Sequence, residues 1–215
     1  MIDGAIGVLL ADDHRMVREG LATLIDQEPD IRVLSQCGDG LRVIDEVLAE
    51  KPDVAVLDIM MPGLNGLDVC RELRRRVDAL SILILTMYDD EQFIARALDY
   101  GASGYLLKEA AGPRLAEAVR AVARRELYLG PGIPQHVVQR IRSGAQDPYE
   151  KLTTRERQVL QLIAEGKTNR HIAEELKLAL KTVDTHRSHL MRKLNIHDQT
   201  SLVKFAIRRG IVSIR

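Results

Sequence analysis

The sequence is poor in aromatic side chains. Its 215 residues include no tryptophan, two phenylalanines and five tyrosines. With 46% hydrophobic residues but only 3% aromatic ones, any core has to be built from aliphatic side chains. The two cysteines, Cys37 and Cys70, are too few for a disulfide framework and read as reduced thiols of a cytosolic protein. No apolar run approaches the ~18 residues of a membrane span, so no membrane association is expected. The opening MIDGAIGVLLADDH carries an acid and no basic region, so no secretory leader is expected either. Internal repeats and low-complexity tracts are also missing, which excludes solenoid architectures.

Net charge is lacking too, but only in the sum. Residues 1–130 carry 15 Lys and Arg against 23 Asp and Glu, a net of −8. Residues 131–215 carry 16 against 8, a net of +8. An acidic front and a basic back suggest two domains with different partners, the basic one a candidate for nucleic acid. Charge alone fits an ordinary solvated surface equally well.

Pattern separates the two halves further. Short apolar runs at 6–11, 31–36, 54–58, 81–86 and 104–107 alternate with segments of helical period. Two such segments carry Val17, Leu21, Leu24 and Ile25, and Leu41, Ile44, Val47 and Leu48; three more cover 67–76, 91–100 and 113–125. Five βα units predict a five-stranded parallel sheet, doubly wound in the flavodoxin-like manner, with strand order 2-1-3-4-5. Residues 129–148 are rich in Gly, Pro and polar residues and read as a linker, with Val137, Val138 and Ile141 able to form one short helix. From residue 149 the pattern is all helical. Thr153 and Glu156 form a capping box, Gly166 is a stop, and Thr168 and Asp198 cap later helices. A short helix containing Ile172 and Leu176 precedes one from Lys181 to Leu194 across a tight connection, which is a helix-turn-helix pattern. The domains expected are therefore 1–128, a 129–148 linker, and 149–215.

The stretch VAVLDIMMPGLNG, residues 54–66, ends an apolar strand on one carboxylate, Asp58. Alone, an acid there reads as a turn or cap residue. In the expected topology, however, Asp12 and Asp13 end strand one, Thr86 ends strand four and Lys108 follows strand five. All lie at the carboxyl ends of parallel strands, where open α/β sheets bind ligands. Three carboxylates in one pocket call for a cation, and oxygen ligands suit Mg²⁺. With Mg²⁺ and Lys108 neutralising the pocket, Asp58 can attack a phosphoryl group, and the Thr86 hydroxyl can bond the group once attached.

The residues Ala11-Asp12-Asp13, the D-x-x-M-P-G-x-x-G run at 58–66, Thr86 and Lys108 together resemble the receiver domain of two-component response regulators. The resemblance implies Asp58 as phosphoacceptor, with Asp12, Asp13 and Asp58 plus the Met60 carbonyl as the Mg²⁺ site. It implies Thr86 and Tyr105 as a switch pair and Lys108 as the phosphoryl partner; Tyr105 alone reads as core. Two features depart from the family pattern. Glu109 follows Lys108 where many receivers have proline, and Met87 follows Thr86 where a small residue is common. A bulky Met87 restricts water at the phosphoryl group and predicts a longer-lived phospho-form.

LTTRERQVL at 152–160, EGKTNRHIA at 165–173 and KTVDTHRSHL at 181–190 resemble the DNA-binding domain of the NarL/FixJ (LuxR-type) regulators. The resemblance assigns Lys181, Asp184, Thr185 and Ser188 to base edges or adjacent phosphates. It assigns Thr168, Asn169, Thr182, His186, Arg187 and Arg192 more loosely to the DNA backbone. His186 reads equally as half-buried structure, and any one cation here as solvated charge. Asp184 stands where the family often has Lys, Ala179 where a Ser usually caps the recognition helix, and His171 where Glu or Gln would complete a capping box. The loss of a cap predicts a helix weaker by roughly 1 kcal/mol.

The implied function is a phosphorylation-controlled transcription regulator and not an enzyme. Its implied partners are a sensor histidine kinase, double-stranded promoter DNA, and a second copy on phosphorylation, through Leu202, Ala206 and Arg209 of the last helix. An alternative keeps the DNA-binding regulator but makes its receiver a phosphorylation-independent interaction module. A phosphoryl-transfer enzyme on the same sheet is disfavoured, because Asp58 is followed by Ile59-Met60 rather than the x-Asp of a D-x-D nucleophile. A flavodoxin-like cofactor protein is disfavoured because Asp12-Asp13-His14 occupies the place of a Gly-rich phosphate loop.

Overall fold

The structure, a computed structural model, describes residues 4–133 and 148–212. The chain divides into two compact units. The first is an α/β sandwich. Its strands are β1 (Ile6–Ala11), β2 (Ile31–Cys37), β3 (Val54–Leu57), β4 (Ser81–Thr86), β5 (Gly104–Leu107) and β6 (Tyr128–Leu129). Its helices are α1 (Arg15–Asp26), α2 (Gly40–Glu50), α3 (Gly66–Arg76), α4 (Glu91–Asp99) and α5 (Ala111–Ala123). All strands pair in parallel, in the order β2-β1-β3-β4-β5-β6. The expected 2-1-3-4-5 order is present, but the sheet has six strands and not five. β6 was illegible because two residues carry no period, and they straddle the expected linker boundary. Their place is set by Gly104 and Tyr105 alongside.

Period-two alternation sends side chains to both faces of the sheet. Val8, Leu10, Val54, Val56, Leu83, Leu85 and Leu106 pack with Leu21 and Ile25 of α1 and with Leu115, Val119 and Val122 of α5. The opposite face carries α2, α3 and α4. β3 and β4 are buried along their whole length, as central strands covered on both sides must be. Of the periodic residues expected in the core, Leu21, Ile25, Ile44 and Val47 are buried, whereas Val17, Leu24 and Leu48 are exposed.

The second unit is helical: α6 (Thr154–Ala164), α7 (Asn169–Leu176), α8 (Leu180–Leu194) and α9 (Gln199–Arg208), preceded by a 3₁₀ turn, Pro148–Lys151. The Thr153–Glu156 capping box is formed in full. Thr168 and Asp198 cap α7 and α9 as expected. Gly166 takes φ +84° just past α6, the left-handed value that glycine adopts without strain. Ala179 starts α8 with no side-chain cap, and His171 leaves Thr168 with only half of a box. Val159, Leu160, Ile163, Ile172, Leu176, Val183, Leu190, Leu202 and Ala206 form its aliphatic interior. Arg157 and Arg209 place their guanidinium carbons 4.1 and 4.3 Å from the Tyr149 ring centroid, pinning the 3₁₀ turn to α6 and the end of α9. This corrects the expected dimer patch: Leu202 and Ala206 have no exposed surface, and Arg209 is half-buried with its guanidinium stacked on Tyr149. The helix expected at Val137, Val138 and Ile141 lies outside the described residues.

Candidate functional site

Parallel register brings the acids together. Ala11 pairs with Leu57 and Thr86 with Leu107, so Asp12 and Asp58 leave adjacent strands, and Lys108 leaves β5 beside the end of β4. The turn after Asp58 is held by two glycines. Gly63 has φ +74°. A side chain at Gly66 would place its Cβ 1.9 Å from the Asp58 carbonyl oxygen, so only glycine lets α3 begin this close to the strand end. The Gly66 N–H also closes the turn on the Ile59 carbonyl at 2.8 Å.

Lys108 Nζ lies 2.6 Å from Asp12 Oδ2 and 2.6 Å from Asp58 Oδ2. The other Asp58 oxygen accepts from the Ile59 N–H at 2.7 Å. Asp12 and Asp58 are buried and Asp13 is half-buried. Burial, helped by the charge of Asp12, pushes the Asp58 carboxyl above its ordinary value against the pull of Lys108. Burial would lower Lys108, but its bonds to Asp12 and Asp58 outweigh this and raise it, keeping the ammonium charged. Thr86 is fully buried, and its hydroxyl has no hydrogen-bond partner among the described residues. The Tyr105 ring is fully buried, and its hydroxyl donates to the Tyr88 carbonyl at 2.7 Å. Met60 is half-buried two residues beyond Asp58, and Met87 is 60% exposed.

Donor atoms of Asp12, Asp13 and His14 lie within 4.8 Å of one another, a spacing able to hold a metal ion. Three carboxylates against one ammonium leave two negative charges in the pocket, which a divalent, oxygen-preferring ion balances. The residues present therefore fit Mg²⁺. Sequence reasoning overlooked two neighbours. His14 approaches Asp13 Oδ1 at 2.6 Å through Nδ1, and its N–H donates to Asp12 Oδ1 at 2.9 Å. Arg18 Nη1 donates to the Asp12 carbonyl at 2.5 Å, bracing the β1–α1 turn. His14 adjoins the acids in sequence, whereas Arg18 lies a turn into α1 and no local pattern ties it to Asp12.

Cys37 and Cys70 are free and buried, and burial pushes their thiols up to about 11 and about 12. Neither is a nucleophile near neutrality.

On the second unit, Thr168, Lys181, Asp184, Thr185, Ser188 and Arg192 are exposed, while Asn169, Thr182, His186 and Arg187 are half-buried. The expected DNA contacts therefore all reach the surface along α8 and the start of α7. The Asn169 amide donates to Asp184 Oδ1 at 2.7 Å, and its carbonyl accepts from Arg187 at 3.1 Å. Only three residues, 177–179, join α7 to α8. That is the spacing of a helix-turn-helix, whose second helix enters the major groove.

Comparison with known proteins agrees with both units. The family model of the response regulator receiver domain matches residues 8–120, and that of the bacterial regulatory proteins of the luxR family matches residues 150–206. The chain is 37% identical over 210 residues to the transcriptional regulatory protein LiaR of Bacillus subtilis, covering 97% of this chain and all of the relative. It is 35% identical to the oxygen regulatory protein NreC of Staphylococcus carnosus over 95% of this chain and 98% of that one. Among solved structures it resembles the response regulator ChrA of a heme-sensing two-component system, with 35% identity and a TM-score of 0.53, over 97% of this chain and 100% of that one. It also resembles the response regulator RcsB in complex with DNA, with 25% identity and a TM-score of 0.56, over 94% of this chain and 97% of that one. With a parallel-sheet receiver and a LuxR-type helix-turn-helix carried on one chain, this protein belongs to the NarL/LuxR family of two-component response regulators.

Proposed function

We propose that the protein is a transcription regulator switched by phosphorylation of Asp58, with a receiver over about 1–128, a linker over 129–148 and a DNA-binding domain over 149–215. The observation that carries this reading is the bridge of Lys108 between Asp12 and Asp58, 2.6 Å to each, beside a fully buried Thr86 whose hydroxyl has no partner among the described residues. A carboxylate oxygen of Asp58 attacks the phosphorus of a phosphohistidine on a sensor kinase. The P–N bond breaks, and the imidazole leaves with its electron pair. Lys108, released from part of its carboxylate pairing, holds one phosphoryl oxygen; the Thr86 hydroxyl donates to another. Asp12, Asp13 and Asp58, with the Met60 carbonyl, would hold Mg²⁺, which would supply positive charge to the transferring oxygens. Motion of Thr86 toward the phosphoryl group changes the space beside Tyr105 and biases a two-state surface around α4 and β5. That surface would release the basic domains to pair as a homodimer and bind half-sites about one helical turn apart. Thr168, Asn169, Thr182, His186, Arg187 and Arg192 would position α8 on the backbone, with Lys181, Asp184, Thr185 and Ser188 facing the bases.

The test compares wild type with Asp58→Ala in Mg²⁺, with and without acetyl phosphate, measuring oligomer mass and affinity for duplex DNA. The expected result is dimerisation and tighter DNA binding in wild type alone. Equal DNA binding by wild type with and without donor would make the receiver a docking module.

A further inference from the structure

The acid on the recognition helix has a geometry that assigns it a task. Lys181, Asp184, Thr185 and Ser188 share the exposed face of α8. Thr185 and Ser188 turn their hydroxyls back to the Lys181 and Asp184 carbonyls, both at 2.9 Å, so their protons are already committed. That leaves the Lys181 ammonium and the Asp184 carboxylate as the charged groups among these four. Asp184 Oδ1 accepts from Asn169 Nδ2 at 2.7 Å, Asn169 Oδ1 accepts from Arg187 Nη1 at 3.1 Å, and Arg187 Nη2 donates to Gln199 Oε1 at 3.1 Å. Both ends of the Asn169 amide are thus used, which fixes its orientation and holds the carboxylate in place. Arg187 reaches Asn169 and not the acid, and Asp184 Oδ2 has no protein partner among the described residues. A carboxylate has about four acceptor sites, so one bond leaves most of its capacity open.

Such a group is repelled by phosphates and gains only where a donor meets it. In the major groove, guanine and thymine present acceptors, adenine presents its amine beside the N7 acceptor, and cytosine presents the N4 amine without one. We propose that Asp184, aimed by Asn169, selects cytosine at one position of each half-site by accepting from its N4 amine and rejects guanine and thymine there by repulsion. Asp184 is then a specificity-determining residue and Asn169 a positioning residue. The inference rests on the DNA-binding reading above and deepens it.

The experiment selects binders from a randomised duplex library with the full chain in Mg²⁺ and acetyl phosphate, using wild type, Asp184→Ala, Asp184→Asn and Asn169→Ala, each checked for its thermal melt. Wild type should enrich cytosine at one position per half-site. On the enriched duplex, cytosine→thymine at that position should weaken wild type on the order of tenfold. Asp184→Ala should bind both duplexes within about twofold while keeping every other position of the motif. Asn169→Ala should fall between. A wild-type motif without that cytosine, or an Asp184→Ala variant that discriminates as wild type does, overturns the proposal while leaving DNA binding intact. Failure of wild type to retain any duplex overturns the DNA-binding reading itself, and this inference with it.

Discussion

Lys108 is the residue on which the acid site depends. Two buried carboxylates converge on its ammonium, and no second lysine or arginine ion pair reaches either of them among the described residues. Removing one partner of a buried charged set costs about 3–5 kcal/mol, because the remaining charges stay buried and uncompensated. Lys108→Met should therefore lower the unfolding free energy of the receiver in EDTA, read from the urea midpoint and slope, by an amount near that range. Added Mg²⁺ should restore part of the loss, since a divalent ion replaces the missing positive charge. An unchanged midpoint in EDTA would show that water already screens the pair. The glycines beside the site teach a related lesson. Gly66 is required by a contact with the Asp58 carbonyl, and Gly63 by its backbone angle.

At the scale of elements, one carboxylate joins the first and third helices of the DNA-binding domain. Glu156 accepts from the Thr153 N–H at 2.7 Å, completing the capping box, and from Lys193 of α8 at 2.7 Å. Burial pushes its carboxyl up, but the bonds from Lys193 and Thr153 outweigh burial and hold it below its ordinary value of 4.5. A lowered folded-state value means that the unfolded chain binds the proton first on acidification. Its stabilisation is therefore complete above the ordinary value and is lost as pH falls from there through the folded value. Glu156→Gln should cost on the order of 1 kcal/mol near neutrality. It should also flatten the loss of domain stability below about pH 4.5, the ordinary value for this group. Melts of both proteins across that window decide it: parallel pH profiles would remove Glu156 as the source. By contrast, α8 begins on Ala179 without a cap, so the helix that faces DNA is held by packing and by this tether instead of by its own N-terminus.

Over the whole molecule, the −8 and +8 halves set how the chain meets a polyanion. An acidic receiver tethered to a basic domain lowers the attraction to phosphate over a range set by the Debye length, about 10 Å at 0.1 M salt and 3 Å at 1 M. The fragment 148–215, which carries its own aliphatic interior, should bind non-specific duplex more tightly than the full chain at low salt. That advantage should shrink as salt rises. Equal affinities at 50 mM salt, measured by fluorescence anisotropy, would show that net charge plays no part.

The sequence by itself determined the alternating βα order, the strand sequence 2-1-3-4-5, the helix caps at Thr153, Thr168 and Asp198, and the convergence of Asp12, Asp58 and Lys108 at one sheet edge. These follow from local rules: period two or 3.6, capping side chains, and parallel strands whose carboxyl ends share an edge. The partners Asp184 and Asn169, Glu156 and Lys193, and Arg18 with the Asp12 carbonyl were decided only by tertiary structure, as were the short strand β6 and the burial of Leu202 and Ala206. Each depends on groups far apart in the chain meeting at hydrogen-bond distance or losing their water, and no local pattern records which distant surface will cover a side chain.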